Sequence, residues 1–113
     1  MHAFDVLGDP VRRRILELLV NGERTAGSLT EVIQNEFGIT QAAVSQHLRA
    51  LRENGFVRVQ VQGPRRIYSV AAEPFQQVDA WIKQFRGFWD KPLKALTTEI
   101  ARGKAKKERP SPR

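Results

Sequence analysis

The sequence predicts a mainly α-helical fold with one small β-hairpin, and three observations predict it. Apolar residues spaced by three and four recur through the first 54 residues and again through residues 74–100, which is typical of helices. Capping residues and glycine stops divide the first stretch into several helices. Between the two stretches, residues 57–70 change to a period of two, which is typical of strands. We expect about five helices.

The first two predicted helices are amphipathic. The first covers residues 2–7 and places Phe4 and Leu7 on one side. The second begins at Pro10, where a missing N–H is harmless, and ends at an Asn-Gly pair near residue 21. Its predicted buried residues are Val11, Ile15, Leu18 and Leu19. The arginines at 12–14 lie between the buried positions, and we favour a solvated face for them over contact with phosphates.

The next two predicted helices are joined by a short turn. The third helix is capped by Thr25 or Ser28 and closes near residues 35–38. The fourth covers residues 40–54, with Thr40 as N-cap and an Asn-Gly stop. This order is that of a helix-turn-helix, in which the first helix braces the second against DNA.

The fourth helix has a polar outer face. At about 100° per residue its apolar residues share one face. The opposite face carries Ala42, Ser45, Gln46, Arg49 and Glu53. Ser, Gln and Arg pair with base edges, and one α-helix fits the major groove of double-stranded DNA. The pattern favours a recognition helix, and an ordinary amphipathic helix with a solvated face is the alternative.

A β-hairpin directly after the fourth helix would make the fold a winged helix-turn-helix. Alternating valines lead into a Gly63-Pro64 turn, and a second strand returns to residue 70. Arg65 and Arg66 stand just past the tip, where they could contact a phosphate or enter a minor groove. Charged residues also protect strand edges from unwanted pairing, which is the alternative role for both arginines.

The last predicted helix, over residues 74–100, carries more aromatic surface than a chain of 113 residues can cover. Its apolar spacing suits packing against a second copy, so we expect a homodimer; packing onto the same subunit is the alternative. The surface from Trp81 to Trp89 could also hold a small hydrophobic effector between subunits. Pro92 lacks an N–H, so it either kinks the helix or restarts it with Asp90 as cap.

Charge and composition narrow the function further. The formal charge is +7, which favours an anionic partner such as nucleic acid. Residues 103–113 hold five of the 19 basic residues against one of the 12 acidic ones. We therefore expect one folded DNA-binding and dimerisation domain over residues 1–102, followed by a disordered basic tail. The tail could attract DNA or only increase solubility.

Several classes of protein are not expected. The chain has no cysteine, no Gly-rich phosphate loop and no cluster of histidines and carboxylates, so we predict no enzyme, no cofactor and no metal site. No apolar run approaches the roughly 20 residues of a membrane span, and the N-terminus lacks the layout of a signal peptide. We expect a cytoplasmic protein.

Three segments resemble the ArsR family of bacterial winged-helix repressors. They are L-G-D-P-V-R-R-R-I-L-E-L-L at 7–19, V-S-Q-H-L-R-A-L-R-E-N-G-F-V at 44–57 and G-P-R-R-I-Y-S-V at 63–70. Phe88 and Trp89 in the last helix resemble the branch of that family without classical metal sites. Between residues 28 and 39 the supporting helix and turn are about three or four residues longer than the family pattern.

The resemblance implies a homodimer, joined through the first and last helices, that binds an imperfect palindrome and represses by occluding a promoter. The implied interface residues are Phe4, Leu7, Ile82, Phe85, Phe88, Trp89, Leu93 and Leu96. The implied DNA contacts are Thr40, Gln41, Ser45, Gln46, His47, Arg49, Arg65 and Arg66.

The implied DNA contacts have different roles. Gln41, Ser45 and Gln46 would approach bases. Thr40, His47 and Arg49 would hold phosphates or orient the helix, and the two wing arginines would grip alongside. For His47, packing beside the buried face is an equal alternative.

The predicted function is sequence-specific transcriptional repression. One alternative is nonspecific DNA binding driven by the basic tail. Another is a winged-helix module that binds a protein through its hairpin or its aromatic surface.

Overall fold

The structure is a computed structural model that describes residues 2–104, with side chains described as far as Asp90. Over this range the chain forms five helices and three strands. In chain order they are α1 (Ala3–Leu7), α2 (Pro10–Val20), β1 (Arg24–Thr25), α3 (Ala26–Phe37), α4 (Gln41–Glu53), β2 (Val57–Gln62), β3 (Arg65–Val70) and α5 (Glu73–Lys104). The predicted order of four helices, a hairpin and a long last helix is confirmed.

The strands form one antiparallel sheet in the order β1-β3-β2. The hairpin pairs Val57 with Val70 at its base and Gln62 with Arg65 at its tip. Gly63 in the two-residue loop has a φ of 60°, which a residue with a side chain rarely adopts and which matches the glycine of type II′ hairpin turns. Strand β1 adds a third strand to the hairpin. The sequence did not predict it, because two residues are too few to show a period of two.

Local capping explains where the helices begin. Asp9 accepts hydrogen bonds from the backbone N–H groups of Val11 and Arg12 at 2.8 and 3.2 Å, so α2 starts at Pro10. Thr25, rather than Ser28, caps α3, because its hydroxyl oxygen accepts from the Ser28 N–H at 3.1 Å. These are the helix starts that the sequence predicted.

Among the described side chains, one hydrophobic core joins the first four helices to the sheet. Its buried residues are Val6, Val11, Ile15, Leu16, Leu18, Leu19, Leu29, Ile33, Val44, Leu48, Leu51, Phe56, Val57 and Tyr68. Each fully buried aliphatic or aromatic side chain contributes on the order of 1.5–3 kcal/mol. Phe75 at the start of α5 packs edge-on against Phe56, with ring centroids 5.4 Å apart. Phe75 therefore packs onto its own subunit, which was the alternative to dimer packing for the last helix.

The arginines of α2 make contacts that the sequence did not predict. A solvated face was favoured for residues 12–14, yet Arg12 donates to His47 on α4 and Arg14 donates twice to Glu36 on α3. Arg13 donates to the backbone carbonyl of Leu7 at 2.6 Å. The hydrogen bonds of Arg13 and Arg14 lie at the surface, so these contacts are compatible with a largely solvated face. The tertiary fold brings the acceptors against α2, and the local pattern does not contain that information.

Helix α5 runs without interruption from Glu73 to Lys104, so Asp90 does not begin a separate helix. The chain divides into two compact units, one ending at Val78 and the other beginning at Asp79. The helix includes residues 103 and 104 of the predicted tail, and residues 105–113 lie outside the described part. Within the described part, no helix combines the length and apolarity needed to cross a membrane.

Candidate nucleic-acid interface

Helix α4 is held in place by its buried face and by its N-cap. Val44 and Leu51 have no exposed surface, and Leu48 is only 4% exposed. The helix therefore cannot rotate without exposing core side chains. The hydroxyl oxygen of Thr40 accepts from the Ala43 N–H at 3.1 Å. Gly38, with a φ of 66°, ends α3 and reverses the chain into the turn before Thr40. The opposite face of α4 therefore points outward in a fixed orientation.

The outward face of α4 consists of exposed short or polar side chains. They are Gln41, Ala42, Ser45, Gln46 and Arg49. Thr40 lies just before them and caps α4 with its side chain. This contact corresponds to the helix-orienting role among its two predicted roles. Amide, hydroxyl and guanidinium groups on one helix surface can form hydrogen bonds to base edges and phosphates.

A groove of about 620 Å³ runs between α3, α4 and β3, and we call it the recognition groove. Helix α4 contributes Gln41, Ser45, Arg49 and Arg52 to its lining, and β3 contributes Arg66. The groove thus combines three guanidinium groups with two neutral polar side chains from the predicted face. Of the predicted DNA contacts, the structure brings together the four that line this groove: Gln41, Ser45, Arg49 and Arg66.

The two wing arginines face different sides of β3. Side chains alternate along a strand, and Arg66 lines the recognition groove together with Tyr68, two residues further on. Arg65 therefore points to the opposite side of the wing. Both side chains are exposed. Among the side chains described, no carboxylate forms an ion pair with either arginine.

Arg49 already has a partner on its own helix. Its Nε donates to Glu53 Oε2 at 2.9 Å, and this hydrogen bond lowers the pKa of the Glu53 carboxyl group and raises the pKa of Arg49. Both side chains are more than half exposed, at 73% and 55%, so water screens the pair and it stabilises the helix only weakly. A phosphate could replace Glu53 as the acceptor at little cost.

His47 turns away from the recognition groove and toward α2. Its Nδ1 accepts a hydrogen bond from Arg12 Nε at 3.3 Å and lies 4.0 Å from Asp9 Oδ1, and its side chain is 21% exposed. Asp9 is also the N-cap of α2. The contact favours the packing role for His47, because it links the middle of α4 to the beginning of α2.

Sequence reasoning missed Arg52 as a groove residue. Its position, seven residues after Ser45 and three after Arg49, returns it to the same helical face after two turns. That spacing was available in the sequence and could have identified it. Thr30 and Gln34 from α3 also line the groove, but their proximity depends on how α3 packs beside α4, which no local pattern reveals.

The predicted dimer-interface residues differ in exposure. Leu7 is partly buried against its own core, whereas Phe4 is 40% exposed. Ile82 on α5 is half-buried, and Phe85, Phe88 and Trp89 are exposed. The side chains of Leu93 and Leu96 lie outside the described part. Over the described residues, no group of three or more His, Cys, Asp or Glu side chains is arranged to hold a metal ion.

Comparison with known proteins agrees with this geometry. A helix-turn-helix domain family matches residues 7–60. An HTH-type transcriptional regulator of Mycobacterium tuberculosis is 41% identical over 69 residues, which cover 61% of this chain and 58% of that regulator. The transcriptional repressor SdpR of Bacillus subtilis is 30% identical over 92 residues, which cover 81% of this chain and 98% of the repressor. The match therefore spans little over half of the mycobacterial regulator and nearly all of SdpR.

A solved structure decides the family. The crystal structure of an ArsR family transcriptional regulator matches with a TM-score of 0.66 and 30% identity over 78% of this chain and 87% of that one. The chain belongs to the ArsR family. The predicted winged helix-turn-helix class is thereby confirmed. A homodimeric winged helix-turn-helix DNA-binding domain from Mycobacterium bovis also matches this ArsR-family chain, with a TM-score of 0.56 and 26% identity over 75% of each chain.

Proposed function

We propose that this chain is a transcriptional repressor that binds a specific DNA sequence. The observation that carries the proposal is the recognition groove, where exposed Gln41 and Ser45 on α4 lie beside the wing's Arg66. A helix in the major groove would present Gln41, Ser45 and Gln46 to base edges. Arg49 and Arg66 would contact phosphates and fix the register of the helix on the duplex.

The repressor would act as a homodimer on a palindromic operator. Two copies of α4 would enter successive major grooves about 10 base pairs apart, and the bound dimer would occlude a promoter. Exposed aromatic side chains on α5 and exposed Phe4 on α1 support an interface through the first and last helices. The proposed interface residues are Phe4, Leu7, Ile82, Phe85, Phe88, Trp89, Leu93 and Leu96. The surface from residue 81 to 89 could in addition hold a hydrophobic effector between subunits.

The proposal assigns residues 1–102 to DNA binding and dimerisation, and it assigns to the basic segment 103–113 a general attraction to DNA. It requires no catalytic step. A regulator of this kind works where the bacterial chromosome lies, so we place the protein in the cytoplasm.

Footprinting on the DNA upstream of the protein's own gene, repeated over a series of salt concentrations, tests the proposal. We expect a protected palindrome whose half-site centres lie about 10 base pairs apart, with affinity falling as salt rises because bound arginines release counterions. Uniform protection of all DNA would support nonspecific binding instead. Absence of any DNA complex even at low salt would favour a module that binds protein.

A further inference from the structure

A second groove, of about 520 Å³, lies between the end of α1, the face of α2, the end of β3 and the start of α5. It shares no lining residue with the recognition groove. Most of its lining residues are apolar, among them Leu16, Val70, Phe75 and Leu7, which is also one of the proposed dimer-interface residues. We call it the apolar groove. Its volume is within the range of roughly 300–1,000 Å³ in which proteins hold small molecules.

Val20 marks the apolar groove as a surface that is costly to leave in water. It lines the groove at the last position of α2 and is 69% exposed, whereas Val11, Ile15 and Leu19 of the same helix are buried. Covering an exposed valine is favourable in proportion to the area removed from water. An apolar occupant would gain this free energy without rearranging the core beneath, because Leu16 at the floor of the groove is already packed.

Two charged side chains line the groove, and their environments differ. Arg13 Nη1 donates to the carbonyl oxygen of Leu7 at 2.6 Å, which holds the guanidinium group at the groove while its other N–H groups remain available. Glu17 lies one turn later with its side chain 65% exposed to water, and its Oε1 is 3.5 Å from Nη1 of Arg14, which also pairs with Glu36. The groove therefore presents one positioned cation beside an apolar floor.

We propose that the apolar groove binds an amphiphilic monoanion, namely a molecule with an aliphatic or aromatic body and one carboxylate. The body would cover Leu16, Val20 and Phe75, and the carboxylate would accept hydrogen bonds from Arg13. A guanidinium group suits this role because its planar set of N–H donors matches a carboxylate. The chain's own segment 105–113 is a poor occupant, since it contains no large apolar side chain.

Calorimetry with decanoate, in the absence of DNA, tests the site independently of the proposed function. Decanoate should bind with one molecule per chain. Arg13→Gln should weaken decanoate binding about tenfold or more, because a hydrogen bond to a charged group is lost, yet leave the binding of uncharged decanol unchanged. Arg65→Gln removes an equal charge on the wing and should have no effect. Equal weakening by the two arginine variants would mean general attraction to a cationic protein and would overturn the proposal.

Filling the groove provides the second test. Val20→Trp should abolish binding of both decanoate and decanol, while Val61→Trp, at a wing position with a similar exposure of 67%, should abolish neither. Analytical ultracentrifugation of both variants shows whether a second copy of the chain occupies the groove instead, because it measures the oligomeric state. If Val20→Trp converts an oligomer to monomers and leaves decanoate binding intact, the groove is a contact between copies of the chain and the proposal is wrong.

Discussion

Arg65 and Arg66 are neighbours in β3, yet only Arg66 lines the recognition groove beside α4. The alternation of a strand separates two residues of the same type into one that faces the DNA-binding helix and one that does not. Their roles in binding should differ accordingly. Arg66 is placed to contact the same stretch of backbone as α4, whereas Arg65 would reach only DNA that curves around the outer side of the wing.

We predict that Arg66→Ala weakens DNA binding more than Arg65→Ala. Loss of one phosphate contact should lower the steepness of the dependence of log affinity on log salt concentration by about 0.9, and it should do so on operator and random DNA alike. Titrations over a salt series measure this slope for each variant. Identical slopes for the two variants would show that the side of β3 to which an arginine points does not determine whether it contacts a phosphate.

His47 illustrates what the sequence leaves undecided at the scale of a residue. Its position beside the buried stripe of α4 allowed either a phosphate contact or packing. The contact with Arg12 exists because α2 crosses next to α4, a tertiary arrangement that neither helix encodes by itself. Exposed residues opposite the core, such as Ser45 and Gln46, were predictable because helical periodicity alone decides which way they point.

At the scale of elements, Arg14 ties α2 to the end of α3 ahead of the turn into α4. Its Nε and Nη2 donate to the two carboxylate oxygens of Glu36 at 2.8 and 3.1 Å. The hydrogen bond from Arg14 lowers the pKa of Glu36 below its ordinary value of 4.5. A carboxyl group with a lowered pKa stabilises the fold at pH values above its ordinary pKa, and the contribution is lost as the pH falls through the lowered value.

We therefore predict a pH-dependent coupling between Arg14 and Glu36. A double-mutant cycle of Arg14→Ala and Glu36→Ala, measured by urea unfolding, should give a small favourable coupling at about pH 7. The coupling should shrink toward zero as the pH falls through the lowered pKa of Glu36 and the carboxylate loses its charge. A coupling for Arg14 and Glu36 that is unchanged at low pH would contradict this account.

The elements themselves were predictable to different degrees. Helix caps such as Asp9 and Thr40, together with apolar spacing, predicted α2, α3 and α4. The period of two predicted the hairpin. These signals could be used because each acts within a few residues. Strand β1 was missed because its existence depends on β3, more than 40 residues later in the chain. Pro92 removes one backbone donor, but the sequence does not show whether that loss ends a helix, and α5 continues through it.

At the scale of the whole molecule, α5 presents aromatic side chains that the described chain leaves exposed. Phe88 is 79% exposed, and Trp81 stacks at an angle against Phe85 with ring centroids 4.7 Å apart. Surfaces of this kind commonly mark contacts between proteins. The proposed dimer would bury them and would place two copies of α4 for a palindromic operator.

We predict that Phe88→Arg dissociates the dimer. A charge placed in an apolar interface should raise the dissociation constant of the dimer at least about tenfold and should weaken operator binding with it. Gln76→Arg adds the same charge at an exposed position on the first turn of α5 and should leave the dimer intact. Analytical ultracentrifugation measures both. A Phe88→Arg protein that stays dimeric would place the interface elsewhere.

The central claim is that the outer face of α4 distinguishes one DNA sequence from another. The ratio of operator affinity to random-DNA affinity tests it most directly when Gln46→Ala is compared with Gln76→Ala, which removes an exposed glutamine from α5. We predict that Gln46→Ala lowers this ratio about five- to 150-fold, which corresponds to a loss of about 1–3 kcal/mol in the free energy of discrimination. Gln76→Ala should leave the ratio unchanged. An equal loss of affinity on both DNAs, or no loss on either, would contradict the claim.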